Sequence, residues 1–186
     1  MPFDHRIRPR VSDVAGKLFL MAEDFPEKPD DLDRPPEFFP YGESENLDPE
    51  HRAQGEPIEV EVEAVFAAES GNNIQRFVLL SDGTRKLPIV IGGFEAGAIT
   101  YPLDGQQPDR PMTHDLMKTM LERLDAPVTR VVIDDLWGGT YYAKIYIQGP
   151  EGEIEIDSRP SDAIALAIRA EAQIYVVEGI LEQVSQ

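Results

Sequence analysis

The sequence predicts an α+β fold in which two units of strand, strand, strand and helix pack together as one domain with a mixed or antiparallel sheet. Apolar residues from Ile58 to Ala64 alternate with glutamates, which is typical of a half-buried strand. Two short segments, Glu95-Ala96-x-Ala98 and Asp162-Ala163-x-Ala165, are similar to each other. They lie as far apart along the chain as the predicted strands that contain Val78 and Ile145, which indicates an internal duplication with pseudo-twofold symmetry.

The elements follow from periodicity and from the turn residues between them. Apolar alternation predicts strands over residues 58–64, 74–80, 87–91, 128–136, 141–148, 153–156 and 174–177. Helices are predicted over 94–103, 113–126 and 160–172, with a last helical turn over 180–184. Pro102 should end the first helix, and Thr113 should cap the second.

The chain divides near residue 56. Residues 1–56 hold half of the 16 prolines, and they combine acidic side chains with isolated aromatic ones. We expect an acidic, proline-rich extension that is largely disordered or loosely docked, with one short helix over residues 5–22. The alternative is a tail that docks on the domain or on a partner through Phe38, Phe39 and Tyr41. Residues 57–186 should form the folded domain.

Composition excludes several functional classes. The chain has 186 residues, no cysteine and a formal charge of −18, from 35 acidic and 17 basic side chains. Without cysteine it has no disulfide scaffold, no thiol nucleophile and no thiolate-bound metal. The charge argues against broad coating of nucleic acid or of an anionic membrane, but local capture of a phosphate by a few arginines does not conflict with it. No apolar run reaches the roughly 20 residues of a membrane span, so we expect a cytoplasmic protein.

The polar residues that could carry chemistry lie beside apolar helices and turns. They are Glu95, Arg110, His114, Asp115, Asp157, Arg159 and Asp162. Carboxylates together with a histidine are suitable ligands for a hard divalent cation such as Mg²⁺ or Mn²⁺. An arginine fork binds a phosphate, and the N-terminus of a helix offers free N–H groups to an anion.

Each of these residues also has a structural explanation. Asp115 and Asp162 could serve only to complement helix dipoles, and the two arginines could form ion pairs with them. His114 could be a satisfied hydrogen-bonding group rather than a base. Glu95 lies in an otherwise apolar helix, so its carboxylate needs a partner, which could be Arg110 or Arg159 rather than a metal.

At these residues the chain resembles the bifunctional nuclease (BFN) domain family. The matching runs are Leu87-Pro88-Ile89-Val90-Ile91-Gly92, Glu95-Ala96-Gly97-Ala98-Ile99, Arg110-Pro111-Met112-Thr113-His114-Asp115-Leu116 and Asp157-Ser158-Arg159-Pro160-Ser161-Asp162-Ala163-Ile164-Ala165-Leu166-Ala167. The resemblance covers about residues 57–182. It implies a duplicated α+β fold and a nuclease that acts on RNA and DNA.

Two functional classes follow. A nuclease assisted by Mg²⁺ or Mn²⁺ would cleave single-stranded RNA or DNA. Its catalytic residues would be Glu95, His114, Asp115 and Asp162, its substrate-binding residues Arg110 and Arg159, and its metal ligands Glu95, Asp115, Asp157 and Asp162. The alternative is a non-catalytic binding or regulatory module in which the same charges form a structural ion-pair network. Exposed apolar edges and short helices suggest a homo-oligomer, most simply a dimer.

Overall fold

The computed structural model describes residues 53–70, 73–106 and 108–184, and this part of the chain has the predicted α+β architecture. Its strands are β1 (Pro57–Ser70), β2 (Asn73–Ser81), β3 (Lys86–Ile91), β4 (Val128–Trp137), β5 (Thr140–Gly149), β6 (Gly152–Ser158) and β7 (Gln173–Val177). Its helices are α1 (Gly93–Leu103), α2 (Thr113–Arg123), α3 (Pro160–Ala170) and α4 (Glu178–Val184).

The seven strands form one mixed sheet in the order β3-β2-β1-β7-β4-β5-β6. Neighbouring strands are antiparallel except for β7 and β4, which are parallel. The long strand β1 joins both halves, because Pro57–Val60 pairs with β7 and the residues after Val60 pair with β2. The short central strand β7 is therefore hydrogen-bonded on both sides, which fits its apolar sequence Ile-Tyr-Val-Val.

The core lies between the sheet and the helices. Alternate residues of the strands are buried there, as in β3, where Leu87, Ile89 and Ile91 are buried and the residues between them are not. The helix α3 is the central one, since it contacts α1, α2 and strands β4, β5 and β7. Its buried residues include three alanines, Ala163, Ala165 and Ala167, whose small side chains let neighbouring elements approach closely.

Two details at the helix ends differ from the prediction. The first helix ends at Leu103 as predicted, but Pro102 lies inside its last turn, and the Ala98 carbonyl that proline cannot bond accepts from Arg169 Nη1 instead. The N-cap of α2 is Met112 rather than Thr113, and the Met112 backbone N–H donates to Asp115 Oδ2. The Asp115 carboxylate therefore satisfies an N–H group that the cap residue's side chain would not.

The apolar residues on one face of α2 form a stripe that is largely exposed to solvent, and they are Leu116, Met117, Met120, Leu121 and Leu124. No residue of this helix is buried, and Leu116, Met120 and Leu124 are all exposed. Leu121 alone among the residues of the stripe packs against the core. Burial of an apolar face thus contributes little to fixing the position of α2 among the described residues.

The order strand, strand, strand, helix occurs twice, as β1-β2-β3-α1 and as β4-β5-β6-α3. Glu95 and Asp162 are each the third residue of the helix that follows, as the two similar sequence segments predicted. The internal duplication and its pseudo-twofold symmetry stay predictions.

The predicted extension over residues 1–56, with its helix over 5–22, lies almost wholly outside the described residues, which begin at Ala53. The carbonyls of Gln54 and Glu56 accept hydrogen bonds from the backbone of Gly179 and Glu178 at the start of α4. In the part of the chain that the structure describes, no helix is long and apolar enough to cross a membrane.

Candidate active site

One arginine joins the first turns of α1 and α3. Arg159, the N-cap residue of α3, donates from Nε to Asp162 Oδ2 at 2.7 Å and from Nη1 to Glu95 Oε1 at 3.2 Å. The carboxylate of Glu95 therefore has the partner that its apolar helix required, and that partner is Arg159 rather than Arg110. The Arg159 side chain is nevertheless 65% exposed, so much of its guanidinium faces solvent.

His114 connects α2 to the same carboxylate. Its Nε2 lies 3.2 Å from Asp162 Oδ1, and only 12% of its side chain is exposed. Burial alone would raise the pKa of Asp162, but the hydrogen bond and charge of Arg159, followed by the contact with His114, hold it below its ordinary value. Asp162 is thus ionised at neutral pH, and because a carboxylate only accepts, the hydrogen bond between the two residues requires His114 Nε2 to be the donor.

Glu95, His114, Arg159 and Asp162 come from the starts of three helices, with Arg159 as the N-cap residue of α3. Glu95, Asp115 and Asp162 are each the third residue of their helix, and His114 is the second residue of α2. The N-terminus of a helix carries a partial positive charge that favours a carboxylate at this position. We call Glu95, His114, Arg159 and Asp162 the polar cluster.

Gly92 makes room for one member of the polar cluster. A Cβ atom added at this residue would overlap Glu95 Oε2 and would lie 3.1 Å from Glu95 Cδ. The carboxylate of Glu95 therefore folds back over the backbone just before α1, where a side chain at residue 92 would displace it. The φ angle of Gly92 is −76°, so space rather than backbone conformation requires glycine here.

Asp115 lies next to His114 in α2 but belongs to a different set of contacts. Its Oδ1 accepts from Arg169 Nε at 2.5 Å, and its Oδ2 accepts from the Met112 backbone at 2.8 Å. Burial would raise the pKa of Asp115, but the bonds to Arg169 and Met112 lower it overall. Asp115 therefore holds the start of α2 in place.

Arg169 is the residue that sequence reasoning missed. It lies in the last turn of α3, its side chain is 6% exposed, and its Nη1 donates to the carbonyls of Ala98 and Ala165 at 2.7 and 2.8 Å. Together with Asp115 these bonds tie α1, α2 and α3 to one guanidinium. An arginine seven residues after Asp162 in a helix of alanine and isoleucine was the available signal, because that spacing places both on one face.

The other predicted residues stand apart from the polar cluster. Arg110 is exposed in the segment before α2 and has no hydrogen-bond or ion-pair partner among the described residues. Asp157 is exposed on the edge strand β6, where it lies in register with Lys144 of β5. The structure thus brings together four of the seven candidates and places Asp115 beside them, whereas no hydrogen bond or ion pair among the described residues joins Arg110 or Asp157 to the polar cluster.

The predicted metal ligands do not form a metal site in this arrangement. Glu95 and Asp162 both bind Arg159, whereas Asp115 binds Arg169. Within residues 53–70, 73–106 and 108–184, no group of three or more histidine, aspartate or glutamate side chains is placed to hold a metal ion. We therefore derive no chemical step through a metal.

Comparison with known proteins identifies the family. A model described as the bifunctional nuclease domain matches residues 78–186. An uncharacterized protein of Mycobacterium tuberculosis is 37% identical over 125 residues, which cover 67% of this chain and 74% of that protein. Bifunctional nuclease 1 of Oryza sativa subsp. japonica is 31% identical over 93 residues, which cover 48% of this chain and 28% of the rice protein. The whole polar cluster lies within the residues that the family model matches, and the chain belongs to the bifunctional nuclease domain family.

Proposed function

We propose that this protein is a nuclease that hydrolyses phosphodiester bonds in RNA, DNA or both, with single-stranded nucleic acid as its substrate. Membership of the family and the names of the rice relatives support this class of reaction. The observation that carries the proposal is the bonded series Arg159–Asp162–His114, which combines a guanidinium for the phosphate with an oriented imidazole.

Arg159 binds the phosphate in this proposal. Its Nε and Nη1 are used by Asp162 and Glu95, while Nη2 has no bond to a described residue. The N–H groups of Nη2 can donate to a phosphate oxygen, so they stabilise charge that develops on the phosphoryl group. The surrounding charge of −18 makes this a local contact at one phosphate rather than a broad electrostatic attraction.

His114 is the general base. In the neutral form of the ring, donation from Nε2 to Asp162 makes Nδ1 the acceptor, and no described residue bonds to Nδ1. A carboxylate that holds one imidazole nitrogen fixes the tautomer and orients the ring, so the other nitrogen can take a proton from the attacking water. A base of this kind contributes about 10²–10⁴-fold to a rate.

A requirement for Mg²⁺ or Mn²⁺ stays part of the proposal as a property to be measured. Glu95 and Asp162 are the carboxylates closest to the proposed chemistry, but Arg159 occupies both of them. Asp115 and Asp157, the other two ligands predicted from the sequence, do not join the polar cluster. The dependence of cleavage on each ion, with a chelator as the reference, therefore tests this part separately.

One observation favours the alternative, a non-catalytic binding or regulatory module. The ion pairs of Arg159 with Glu95 and Asp162 link α1 to α3, so a structural role would account for the same residues. A change at His114 distinguishes the two functions. It should slow cleavage if the protein is a nuclease, but it should leave a structural ion-pair network nearly intact, because His114 contributes a single bond to Asp162.

The test is a cleavage assay on His114→Gln. Labelled single-stranded and double-stranded RNA and DNA are incubated with wild-type protein in Mg²⁺, Mn²⁺ or chelator, and the variant is assayed under the most active condition. We expect the rate to fall about 10²–10⁴-fold with an unchanged unfolding midpoint. The control is Gln148→Ala on β5, outside the polar cluster, which should cleave normally. Wild-type protein that cleaves no substrate, or a variant that cleaves at the wild-type rate, would contradict the proposal.

A further inference from the structure

A cavity of about 340 Å³ lies between the end of α1 and the start of α2. Its lining residues are Tyr101, Gln106, Pro108 and Met112. This volume is at the lower end of the roughly 300–1,000 Å³ that is typical of small-molecule sites, so the cavity has room for a small planar group. None of its lining residues takes part in the polar cluster.

The chemistry of the lining is that of a site for a flat, partly polar ring. Tyr101 is 40% exposed, so its ring offers a stacking surface, and Pro108 and Met112 supply apolar contacts. Gln106 carries an amide that both donates and accepts hydrogen bonds. Its backbone N–H donates to the Tyr101 carbonyl at 2.9 Å, which keeps this residue close to the end of α1.

The cavity and the polar cluster draw residues from the same two elements, α1 and the start of α2. Met112 caps α2 and precedes His114 by two residues, so their Cα atoms are at most about 7 Å apart. Tyr101 follows Glu95 by six residues in α1, which is about 9 Å along the helix axis. Arg110, which lacks a partner among the described residues, lies in the segment between Pro108 and Met112 and adds a positive charge there.

We propose that this cavity is a nucleobase subsite, in which the base of a single-stranded substrate stacks on Tyr101 and bonds to Gln106. The inference rests on the proposed nuclease function, which supplies a phosphodiester at the neighbouring cluster. A base inside a duplex is stacked on both faces and paired along its edge, so it cannot enter such a site. The subsite therefore gives the proposed preference for single strands a physical cause.

The test compares adenosine 5′-monophosphate with ribose 5-phosphate, which lacks the base. Binding to the full chain is measured by isothermal titration calorimetry, which needs no signal from Tyr101 itself. We expect the nucleotide to bind about 5- to 150-fold more tightly than the sugar phosphate, the range that stacking of one base on an aromatic ring supplies. Tyr101→Ala should abolish this preference, whereas Tyr101→Phe should keep it.

The matched control is Phe66→Ala, since Phe66 has a similar exposure of 42% and lies on β1 outside the cavity. This variant should retain the preference for the nucleotide. Equal binding of the two probes by wild-type protein, or a preference that survives in Tyr101→Ala, would overturn the proposal.

The binding measurement needs no cleavage, so it separates the two proposals. Nucleic-acid cleavage together with equal binding of the two probes removes the subsite and leaves the nuclease. A base preference in a protein that cleaves no nucleic acid removes the nuclease and keeps the cavity as a nucleobase site.

Discussion

Two arginines of the same helix, α3, bind carboxylates in very different surroundings. Arg159 at its start is 65% exposed and contacts Glu95 and Asp162, whereas Arg169 near its end is 6% exposed and contacts Asp115. Arg169 also donates to two backbone carbonyls, which Arg159 does not. The same residue type thus serves as an accessible charge at one end of the helix and as a buried connection between three helices at the other.

The difference in burial predicts a difference in energetic role. An exposed ion pair contributes about 0–1 kcal/mol to stability, because water solvates its partners nearly as well when they are apart. Asp115 is 33% exposed, so the main cost of removing Arg169 comes from its two backbone carbonyls, and a buried acceptor that loses its donor costs about 1–3 kcal/mol. The exposed Arg159 can therefore donate to a phosphate beside its carboxylates, whereas the guanidinium of Arg169 is buried.

The largest change in stability is expected when the bonds of Arg169 are removed. Arg169→Ala should lower the free energy of unfolding by about 1–3 kcal/mol, because two helix carbonyls lose a buried donor while the partly exposed Asp115 keeps contact with water. Urea unfolding followed by circular dichroism measures this change. Arg130→Ala is the matched control, since this arginine pairs with Glu153 at a more exposed position and should cost about 1 kcal/mol or less. Equal losses in the two variants would contradict the distinction by burial.

A second prediction concerns the exposed start of α3, where Gly92→Ala should disturb the contact between Glu95 and Arg159 and Gly97→Ala serves as the control. Gly92→Ala places a methyl group against the Glu95 carboxylate, which is the movable end of its side chain, so the carboxylate should leave Arg159. We expect less than about 1 kcal/mol of lost stability but slower cleavage, because Arg159 loses the bond to Glu95 that positions its guanidinium.

Gly97→Ala, within α1, is the control. Its new Cβ would meet only Tyr101 Cε2 at 3.6 Å, which is ordinary contact, so the variant should gain about 0.5–1 kcal/mol from helix propensity. A Gly92→Ala protein with wild-type cleavage would show that the position of Glu95 does not matter.

The smallest expected effect concerns acid. The pKa of Asp162 is lower in the folded protein than its ordinary value of about 3.9, so its ionised form stabilises the fold. This contribution is fully present above the ordinary pKa and is lost as the pH falls through the lowered one. The stability difference between wild type and Asp162→Asn should therefore be constant from pH 7 to about 5 and shrink below about pH 4. The measurement is urea unfolding of both proteins at a series of pH values. A stability difference between them that grows as the pH falls would contradict this prediction.

Local patterns in the sequence predicted most of the fold. The alternation from Ile58 to Ala64 and the apolar residues of α3 specified their elements, because both depend on which face is buried. The need of Glu95 for a partner also followed from its apolar helix, and Arg159 was one of the partners expected.

What could not be predicted depends on contacts distant in sequence. In the sequence, Arg169 is a basic residue near the end of a predicted helix, which is common. Its contacts with Asp115 and Ala98 exist only in the folded chain. The exposure of the apolar stripe on α2 likewise could not be predicted from the spacing of its residues. This spacing shows that the helix has an apolar face, but it does not show whether another element packs on that face. Asp157 and Arg110 matched the family motifs as well as Asp162 did, and their separation from the polar cluster is a matter of tertiary structure.

In this proposal Arg159 acts on the substrate while Arg169 holds the fold, and the variant Arg159→Gln separates the two roles. Single-turnover cleavage of a labelled single-stranded RNA and urea unfolding are measured on the same preparation. We expect Arg159→Gln to cleave about 10²–10³-fold more slowly than the wild-type protein, as when one donor to a developing oxyanion is removed. We also expect its free energy of unfolding to change by less than about 1 kcal/mol. A variant that cleaves at the wild-type rate, or that loses activity only because it unfolds, would contradict the proposal.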